Sequence, residues 1–189
     1  MNRAHREFLA SPDWARMLET DLLPWLETIG DLGDDVLEIG PGPGLTTDIL
    51  RRRVPRVTAV EIDDELASAL AQRLNGTNVE VVHGDASRSG LASDRFSTAT
   101  CFSMLHHVPS PKIQDEVFAE VARVLRAGGM FVAVDSANHD VIRSFHEDDT
   151  FVPLDPEALP ARLERAGLGD VHIDVGEYEL RFHARKPVG

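Results

Sequence analysis

The sequence predicts an α/β fold with a doubly wound, mostly parallel sheet of seven strands, one of them antiparallel, preceded by N-terminal helices. Two observations carry this prediction. From Asp35 onward, short apolar runs alternate with helical patterns, which is typical of a parallel sheet covered on both faces. Near the C-terminus, only Gly176-Glu177 separates two apolar runs, which is enough for an antiparallel hairpin but not for a parallel crossover.

Residues 1–30 are predicted to form a helical lid, and residues 31–189 a single globular α/β unit. Ser11 is the expected N-cap, with Pro12 at the first helical position. Pro24 is expected to break or kink the helix because it lacks a backbone N–H. An apolar stripe at helical spacing is expected to dock this segment on the main domain: Trp14, Met17, Leu18, Leu22 and Trp25.

The remaining chain divides into predicted strands and helices. The strands are Val36–Ile39, Val57–Ile62, Val79–Val82, Phe96–Met104, Met130–Asp135, Val171–Val175 and Tyr178–Ala184. The helices are Leu45–Arg53, Asp64–Leu74, Lys112–Leu125 and Ala161–Ala166. Arg126–Gly129 is predicted to end its helix as a glycine C-cap, and Gly176 to open a type II′ turn.

Composition limits the classes of partner. The 189 residues fit one α/β domain with an appendage, and 32 acidic against 19 basic residues give a net charge of −13, which disfavours nucleic acid. Cys101 is the only cysteine, so no intrachain disulfide can form. We find neither a run of 18 apolar residues nor a signal-peptide pattern, so we expect a cytoplasmic protein without membrane insertion.

The segment Gly40–Gly44, with sequence GPGPG, follows the first predicted strand, where ligands of open parallel sheets bind. Its glycines permit a sharp turn and close approach of a ligand. Pro41 and Pro43 remove two N–H donors that a phosphate site would need, and no Gly-Lys-Ser or Gly-Lys-Thr follows. The spacing is GxGxG and not GxGxxG. The loop therefore suits a ligand that has an adenosine but no pyrophosphate.

Two carboxylates follow the next two strands. Glu61, 21 residues after Gly40, can accept hydrogen bonds from both ribose hydroxyls, although it could instead be a surface glutamate that caps the next helix. Asp85, within Gly84–Ala86, can accept a hydrogen bond from an adenine amino group, although an Asx-type turn is the alternative.

Five segments in this order resemble the class I S-adenosylmethionine-dependent methyltransferases, a Rossmann-like family: VLEIGPGPG, VTAVEID, VEVVHGDA, CFSMLHHV and EVARVLRAGGMFVAVD. The resemblance runs from about Val36 to Asp135, and the terminal hairpin would supply the antiparallel seventh strand of that family. The LHHV element resembles small-molecule methyltransferases of the quinone-biosynthesis type. The implied cofactor is S-adenosylmethionine.

The resemblance also implies roles for individual residues. The methionine moiety should be faced by Glu38 and the loop residues Gly40, Pro41, Gly42 and Gly44. Glu61 should bind the ribose, Ile62 should pack on adenine, and Gly84, Asp85 and Ala86 should border the adenine amino group. Phe102 and Ser103 should lie near the methionine amino group and the sulfonium.

The acceptor side is less defined. A sulfonium is a good leaving group, so direct in-line transfer needs mainly alignment, and a general base only if the acceptor loses a proton. His106 is the tentative catalytic residue, with a structural histidine as the alternative. The tentative acceptor-binding residues are His5, Trp14, His106, Asp135, His139 and His146. No metal is predicted, because the acidic residues 147–149 beside His146 are more simply solvated.

Three interpretations of function therefore remain. The first is methylation of a small molecule. The second is an RNA or protein methyltransferase, since VLEIGPGPG and VTAVEID also resemble the rRNA adenine dimethyltransferases. Those carry an Asn-Pro-Pro-aromatic element where this chain has Cys101-Phe102-Ser103-Met104, which disfavours adenine as the acceptor. The third is a non-catalytic protein that binds S-adenosylmethionine. The oligomeric state stays open.

Overall fold

A computed structural model describes residues 7–189 as one seven-stranded sheet with helices on both faces. The strands are β1 Asp35–Ile39, β2 Arg56–Glu61, β3 Val79–His83, β4 Phe96–Phe102, β5 Leu125–Ser136, β6 Gly169–Val175 and β7 Glu179–Arg185. The helices are α1 Pro12–Met17, α2 Leu23–Ile29, α3 Leu45–Leu50, α4 Asp64–Arg73, α5 Pro111–Val124, α6 Asp140–Phe145 and α7 Leu159–Arg165. Short 3₁₀ turns cover Ala86–Arg88 and Leu105–His107.

The strand order is β3-β2-β1-β4-β5-β7-β6, and only β7 runs against its neighbours. This confirms the predicted mostly parallel sheet with its terminal hairpin. Every residue of β1 and β4 is buried, as expected for central strands covered on both faces. The chain winds outward from β1 to β3 and then crosses back to β4, so the sheet has its topological switch point between β1 and β4.

The side chains of alternate residues feed two cores. On one face, Leu37 and Phe131 join an apolar cluster with α5 and α7. On the other face, Val36 and Val132 join a cluster that contains Leu18, Leu22 and Leu26 of the N-terminal helices. The predicted docking stripe is therefore buried in part against this face of the sheet.

The N-terminal helical segment departs from regular geometry near its proline. Ser11 caps α1, its Oγ accepting a hydrogen bond from the Trp14 N–H at 3.1 Å. A π-helical turn, Leu18–Leu22, joins α1 to α2, and Pro24 lies in the first turn of α2. The irregularity that Pro24 predicts thus takes the form of a π turn immediately before it.

Two turn predictions are wrong. The segment Arg126–Gly129 is not a helix C-cap, because α5 ends at Val124 and Leu125 already has extended backbone that pairs with Phe96. Gly129 instead allows β5 to lie close to β4, because a Cβ on Gly129 would lie 3.1 Å from the Phe96 carbonyl oxygen. The hairpin has no type II′ turn at Gly176, since that residue lacks a positive φ and its N–H donates to the Glu179 carbonyl at 2.9 Å. The two turn residues are therefore Glu177 and Tyr178.

Between residues 7 and 189, no helix has both the length and the apolar character needed to span a bilayer.

Candidate active site

A cavity of about 370 Å³ opens at the carboxyl ends of β1 to β4, beside the switch point of the sheet. Its volume lies in the range of small-ligand sites, which is roughly 300–1,000 Å³. The loop after β1 and the residues after β2, β3 and β4 form its floor, while Leu9 and Trp14 of the N-terminal segment close one side. The predicted ligand-binding edge and the cavity therefore coincide.

The glycine loop is built for close approach. Gly40, Gly42 and Gly44 have φ angles of +67°, +53° and +86°. Residues other than glycine adopt such angles only at a cost in free energy. A Cβ on Gly40 would overlap the side chain of Met104, whereas one on Gly42 would meet nothing within 4 Å. Gly40 is thus required by packing and by its backbone, and Gly42 by its backbone.

Glu61 ties this loop to the end of β2. Its side chain is buried and lines the cavity; Oε2 accepts a hydrogen bond from the Gly42 N–H at 3.0 Å and Oε1 accepts one from the Asp63 N–H at 3.0 Å. Glu61 does not cap the next helix, because Asp63 does so by accepting from the N–H groups of Glu65 and Leu66. The carboxylate is therefore held by two backbone donors, with further lone pairs for a ligand.

Asp85 forms the predicted turn and also borders the cavity. Its Oδ1 accepts hydrogen bonds from the N–H and the hydroxyl of Ser87, both at 2.8 Å, which is an Asx-type turn. The residue also lines the cavity, next to Gly84 and Ala86. Ile62, which also lines the cavity, is 68 % exposed and offers an apolar surface for a flat ring.

Glu38 lies behind the loop and is not among the residues that line the cavity. The Thr46 hydroxyl donates a short hydrogen bond to its Oε1, and Thr46 itself lines the cavity. Burial raises the pKa of Glu38 to about 7, against the opposing effect of the Thr46 and Thr47 hydroxyls. Its Oε2 has no hydrogen-bond partner among residues 7–189. A buried carboxyl of this kind is suited to pair with a ligand ammonium group.

The residues after β4 form the other end of the cavity. Ser103 has a φ of +53°, and its N–H donates to the Val134 carbonyl at 2.7 Å, which turns the chain toward the cavity. Phe102 and Ser103 line the cavity as the sequence predicts, and an apolar wall follows them, formed by Met104, Val108, Pro109, Ile113 and Val117. The sequence analysis did not predict this wall or Thr46. The continuation of the LHHV element into Pro109 indicated the wall, and the position of Thr46 two residues after Gly44, in the first turn of α3, indicated Thr46.

The predicted acceptor residues separate into three groups. Trp14 lines the cavity. His106, Asp135 and His146 are buried next to it but do not line it, whereas the neighbouring His107 does. His139 lies away from the cavity, where it caps α6 and contacts Tyr178. His5 lies outside the residues that the structure describes.

His106 is held by its own partner. Its Nδ1 lies 2.5 Å from Asp135 Oδ1, and both side chains are fully buried. His107 and not His106 borders the cavity, and the role of His106 as a base on the acceptor stays a prediction.

A family model described as a methyltransferase domain matches residues 37–133, slightly more than half of the chain. The chain belongs to this family. The match begins within β1, includes the glycine loop, Glu61 and Asp85, and ends within β5, so it contains the strand ends that build the cavity.

Curated relatives share parts of the chain. The ubiquinone biosynthesis O-methyltransferase of Paracidovorax citrulli is 30% identical over 112 residues, 57% of this chain and 46% of that protein. The probable ribosomal RNA small subunit methyltransferase A of Thermococcus onnurineus is 49% identical over 53 residues, 28% of this chain and 20% of that protein. The matches thus span less than half of either relative.

Solved structures share the fold over most of the chain. A protein from Pyrococcus horikoshii OT3 superposes with a TM-score of 0.79 at 19% identity, covering 94% of this chain and 93% of that one. Phosphoethanolamine N-methyltransferase 2 of Haemonchus contortus, in complex with S-adenosyl-L-methionine, has a TM-score of 0.74 at 13% identity, covering 87% and 52%. These structures share the fold of this chain, and the Haemonchus contortus enzyme is the one whose structure contains S-adenosyl-L-methionine.

Proposed function

We propose that this chain transfers the methyl group of S-adenosylmethionine directly to a small-molecule acceptor. The observation that carries the proposal is the shape of the cavity. Most of the predicted cofactor residues line the cavity at the ends of β1 to β3, with Phe102 and Ser103 at the end of β4, and the rest of the cavity is enclosed by apolar side chains, Trp14 and His107. This part of the cavity admits a compact, largely apolar acceptor.

The cofactor fits this cavity in one orientation. The adenosine would lie between Ile62 and the turn at Asp85, with its ribose hydroxyls on Glu61. The methionine moiety would then extend over Gly40–Gly44 toward Thr46, with its ammonium group near the buried carboxyl of Glu38 that the Thr46 hydroxyl contacts. The sulfonium would come to lie near Ser103 and point its methyl group at the apolar end.

The acceptor residues would act mainly by alignment. Met104, Val108 and Trp14 would exclude water and hold the acceptor in line with the methyl carbon. His107 is the titratable side chain that lines this end, so it is the candidate to receive a proton if a hydroxyl is methylated. The O-methyltransferase relative is consistent with a hydroxyl acceptor.

An RNA acceptor is the second candidate, because a ribosomal RNA methyltransferase relative is 49% identical over its matched part. Two features weigh against it. The net charge of −13 opposes contact with a polyanion, and the place of the Asn-Pro-Pro-aromatic element is taken by the end of β4 and Ser103. We therefore place it behind a small molecule.

The test is a transfer assay with methyl-labelled S-adenosylmethionine. The purified chain is incubated in parallel with metabolite fractions, including phenols and hydroxylated quinone precursors, and with undermodified ribosomal RNA. We expect label in solvent-extractable small molecules, and none above the level of Glu61→Ala in precipitated RNA. Label confined to RNA would overturn the small-molecule proposal, and saturable cofactor binding without transfer to any fraction would favour a non-catalytic role.

A further inference from the structure

Three histidines converge beside the acceptor end of the cavity. His106 and His107 lie in the 3₁₀ turn after β4, and His146 follows α6, about 40 residues further along the chain. Their ring centroids are 4.2 to 5.2 Å apart. We call these three residues the histidine cluster. Each offers one ring nitrogen, and these three atoms all lie within 4.8 Å of one another.

Hydrogen-bond partners orient two of the three imidazole rings. His106 Nδ1 faces Asp135 Oδ1 at 2.5 Å, and His146 Nδ1 faces the Ile142 carbonyl oxygen at 2.8 Å. Histidines that bind metal ions typically donate their second ring N–H to a carboxylate or a backbone carbonyl in this manner. With Nδ1 of each ring donating to its oxygen partner, Nε2 would be the atom that coordinates a metal ion.

The surroundings favour a cation over a purely structural cluster. Asp135 is fully buried next to His106, and Asp149, whose side chain is 7 % exposed, has Oδ2 3.9 Å from His107 Nδ1. Two carboxylates and three imidazoles in a buried volume match the charge of a divalent ion bound by neutral nitrogens. Phe151 covers the cluster, with its ring centroid 4.6 Å from that of His146.

We propose that His106, His107 and His146 form a binding site for a divalent transition-metal ion of the zinc type. Zinc bound at about 2.0–2.1 Å in tetrahedral geometry places its nitrogen ligands roughly 3.3 Å apart. The widest pair in the histidine cluster has to close by about 1.5 Å to reach that spacing, which side-chain rotation can supply. Because His107 also lines the cavity, the fourth position of the ion would open toward the acceptor end, and with the ion bound His107 would be a ligand and not the proton acceptor.

The first experiment uses the full chain and the metal alone. After treatment with a chelator, the protein is titrated with Zn²⁺ in competition with a chromophoric chelator. We expect one ion per chain. His146→Ala removes a proposed ligand and should weaken zinc binding by more than about 100-fold. Asp135→Asn changes only the partner of a ligand and should weaken zinc binding by roughly 10- to 100-fold.

The matched control is the double variant His172→Ala/His183→Ala. These two histidines stack across β6 and β7, with ring centroids 4.6 Å apart and His172 largely exposed. The control removes the other close histidine pair of the described chain while leaving the histidine cluster intact. Unchanged affinity in the control supports the site; loss of binding in the control, with binding retained in His146→Ala, contradicts it.

A second measurement needs no variant, and so remains valid if a histidine cluster variant does not fold. Co²⁺ is added to the wild-type chain, and its visible spectrum is recorded with and without a molar equivalent of Zn²⁺. We expect the intense bands of four-coordinate cobalt, lost when zinc is added. A spectrum identical to that of hydrated cobalt would overturn the proposal. Neither measurement requires methyl transfer, so the metal site stands or falls separately from the proposed function.

Discussion

The two ends of the cavity are assembled differently. At the cofactor end, each group follows directly after a strand: the glycine loop after β1, Glu61 at the end of β2, and Asp85 after β3. At the acceptor end, Trp14 comes from α1 and His107 from the turn after β4, and the neighbouring His146 follows α6.

The two ends of the cavity therefore depend on different features of the fold. Parallel strands align the groups at their carboxyl ends whatever the rest of the chain does, so the cofactor end depends on local geometry. The acceptor end depends on how three distant segments pack. We therefore expect substitutions at the cofactor end to change cofactor affinity, and substitutions at the acceptor end to leave it unchanged.

Replacement of Glu61 by alanine should give the largest effect. It removes the ribose acceptor and also the Oε2 that holds the Gly42 N–H at 3.0 Å. We expect a loss of about 2 kcal/mol in cofactor binding, or roughly 30-fold in Kd, because the lost hydrogen bonds are charge-assisted. Isothermal titration with S-adenosylhomocysteine measures it.

The matched control for this variant is Asp64→Ala. Asp64 is an acidic residue three positions later, and its side chain is 79% exposed. Its removal should leave the affinity within the error of the measurement. Equal losses in both variants would mean that general negative charge, and not the position of Glu61, determines binding.

Glu38 should make cofactor binding depend on pH. Since burial raises the pKa of Glu38 to about 7, the Glu38 carboxyl of the free chain is largely protonated in slightly acidic solution, whereas a ligand ammonium group near this carboxyl favours its ionised form. Affinity should therefore rise about eightfold between pH 6 and pH 7.5, with a proton released on binding. Titration in buffers of different ionisation enthalpy counts that proton.

The same pKa determines a trend in stability without ligand. In the unfolded chain the carboxyl ionises near 4.5, so the folded chain binds more protons between that pH and about 7. This contribution to the free energy of unfolding is present in full below pH 4.5 and is lost as the pH rises to about 7. Glu38→Gln should remove both this trend and the proton release; proton release retained in the variant would assign it to another group.

Asp85→Asn should have a smaller effect, about 1 kcal/mol or roughly fivefold in affinity. Asparagine keeps the Oδ1 acceptor that Ser87 uses, so the turn should persist and only the carboxylate is lost. Wild-type chain should also bind S-adenosylhomocysteine more tightly than its deaminated inosine analogue. If the variant retained the full preference for the amino form, Asp85 would not be the adenine contact.

The sequence predicts those parts of the fold that local patterns along the chain determine. The alternation of apolar strands and helices, and the two-residue gap at Gly176-Glu177, are sufficient for the sheet and its antiparallel strand. The turn types were not predictable in the same way. Gly129 serves the approach of the Phe96 carbonyl, a tertiary contact that a local glycine rule cannot register.

As with the fold, only part of the candidate site is predictable from the sequence. Glu61 and Asp85 are predictable because their positions follow from strand ends, and both line the cavity. The convergence of His146 with His106 is not, because about 40 residues separate them and only the packing of the segment after β5 brings them together. The sequence pattern consequently predicted no metal, while the proposal of a metal site depends on the three-dimensional arrangement.

Trp14→Ala should give the smallest effect and is the clearest test of the acceptor end. Trp14 borders the cavity opposite the glycine loop, so its loss should raise the KM for the acceptor roughly threefold, equivalent to under 1 kcal/mol, with the Kd for S-adenosylhomocysteine unchanged. Met17→Ala, on the same helix and 48 % exposed, provides the control and should change neither constant. A loss of cofactor affinity in Trp14→Ala would contradict the division between the two ends, because the N-terminal helix would then be part of the cofactor site.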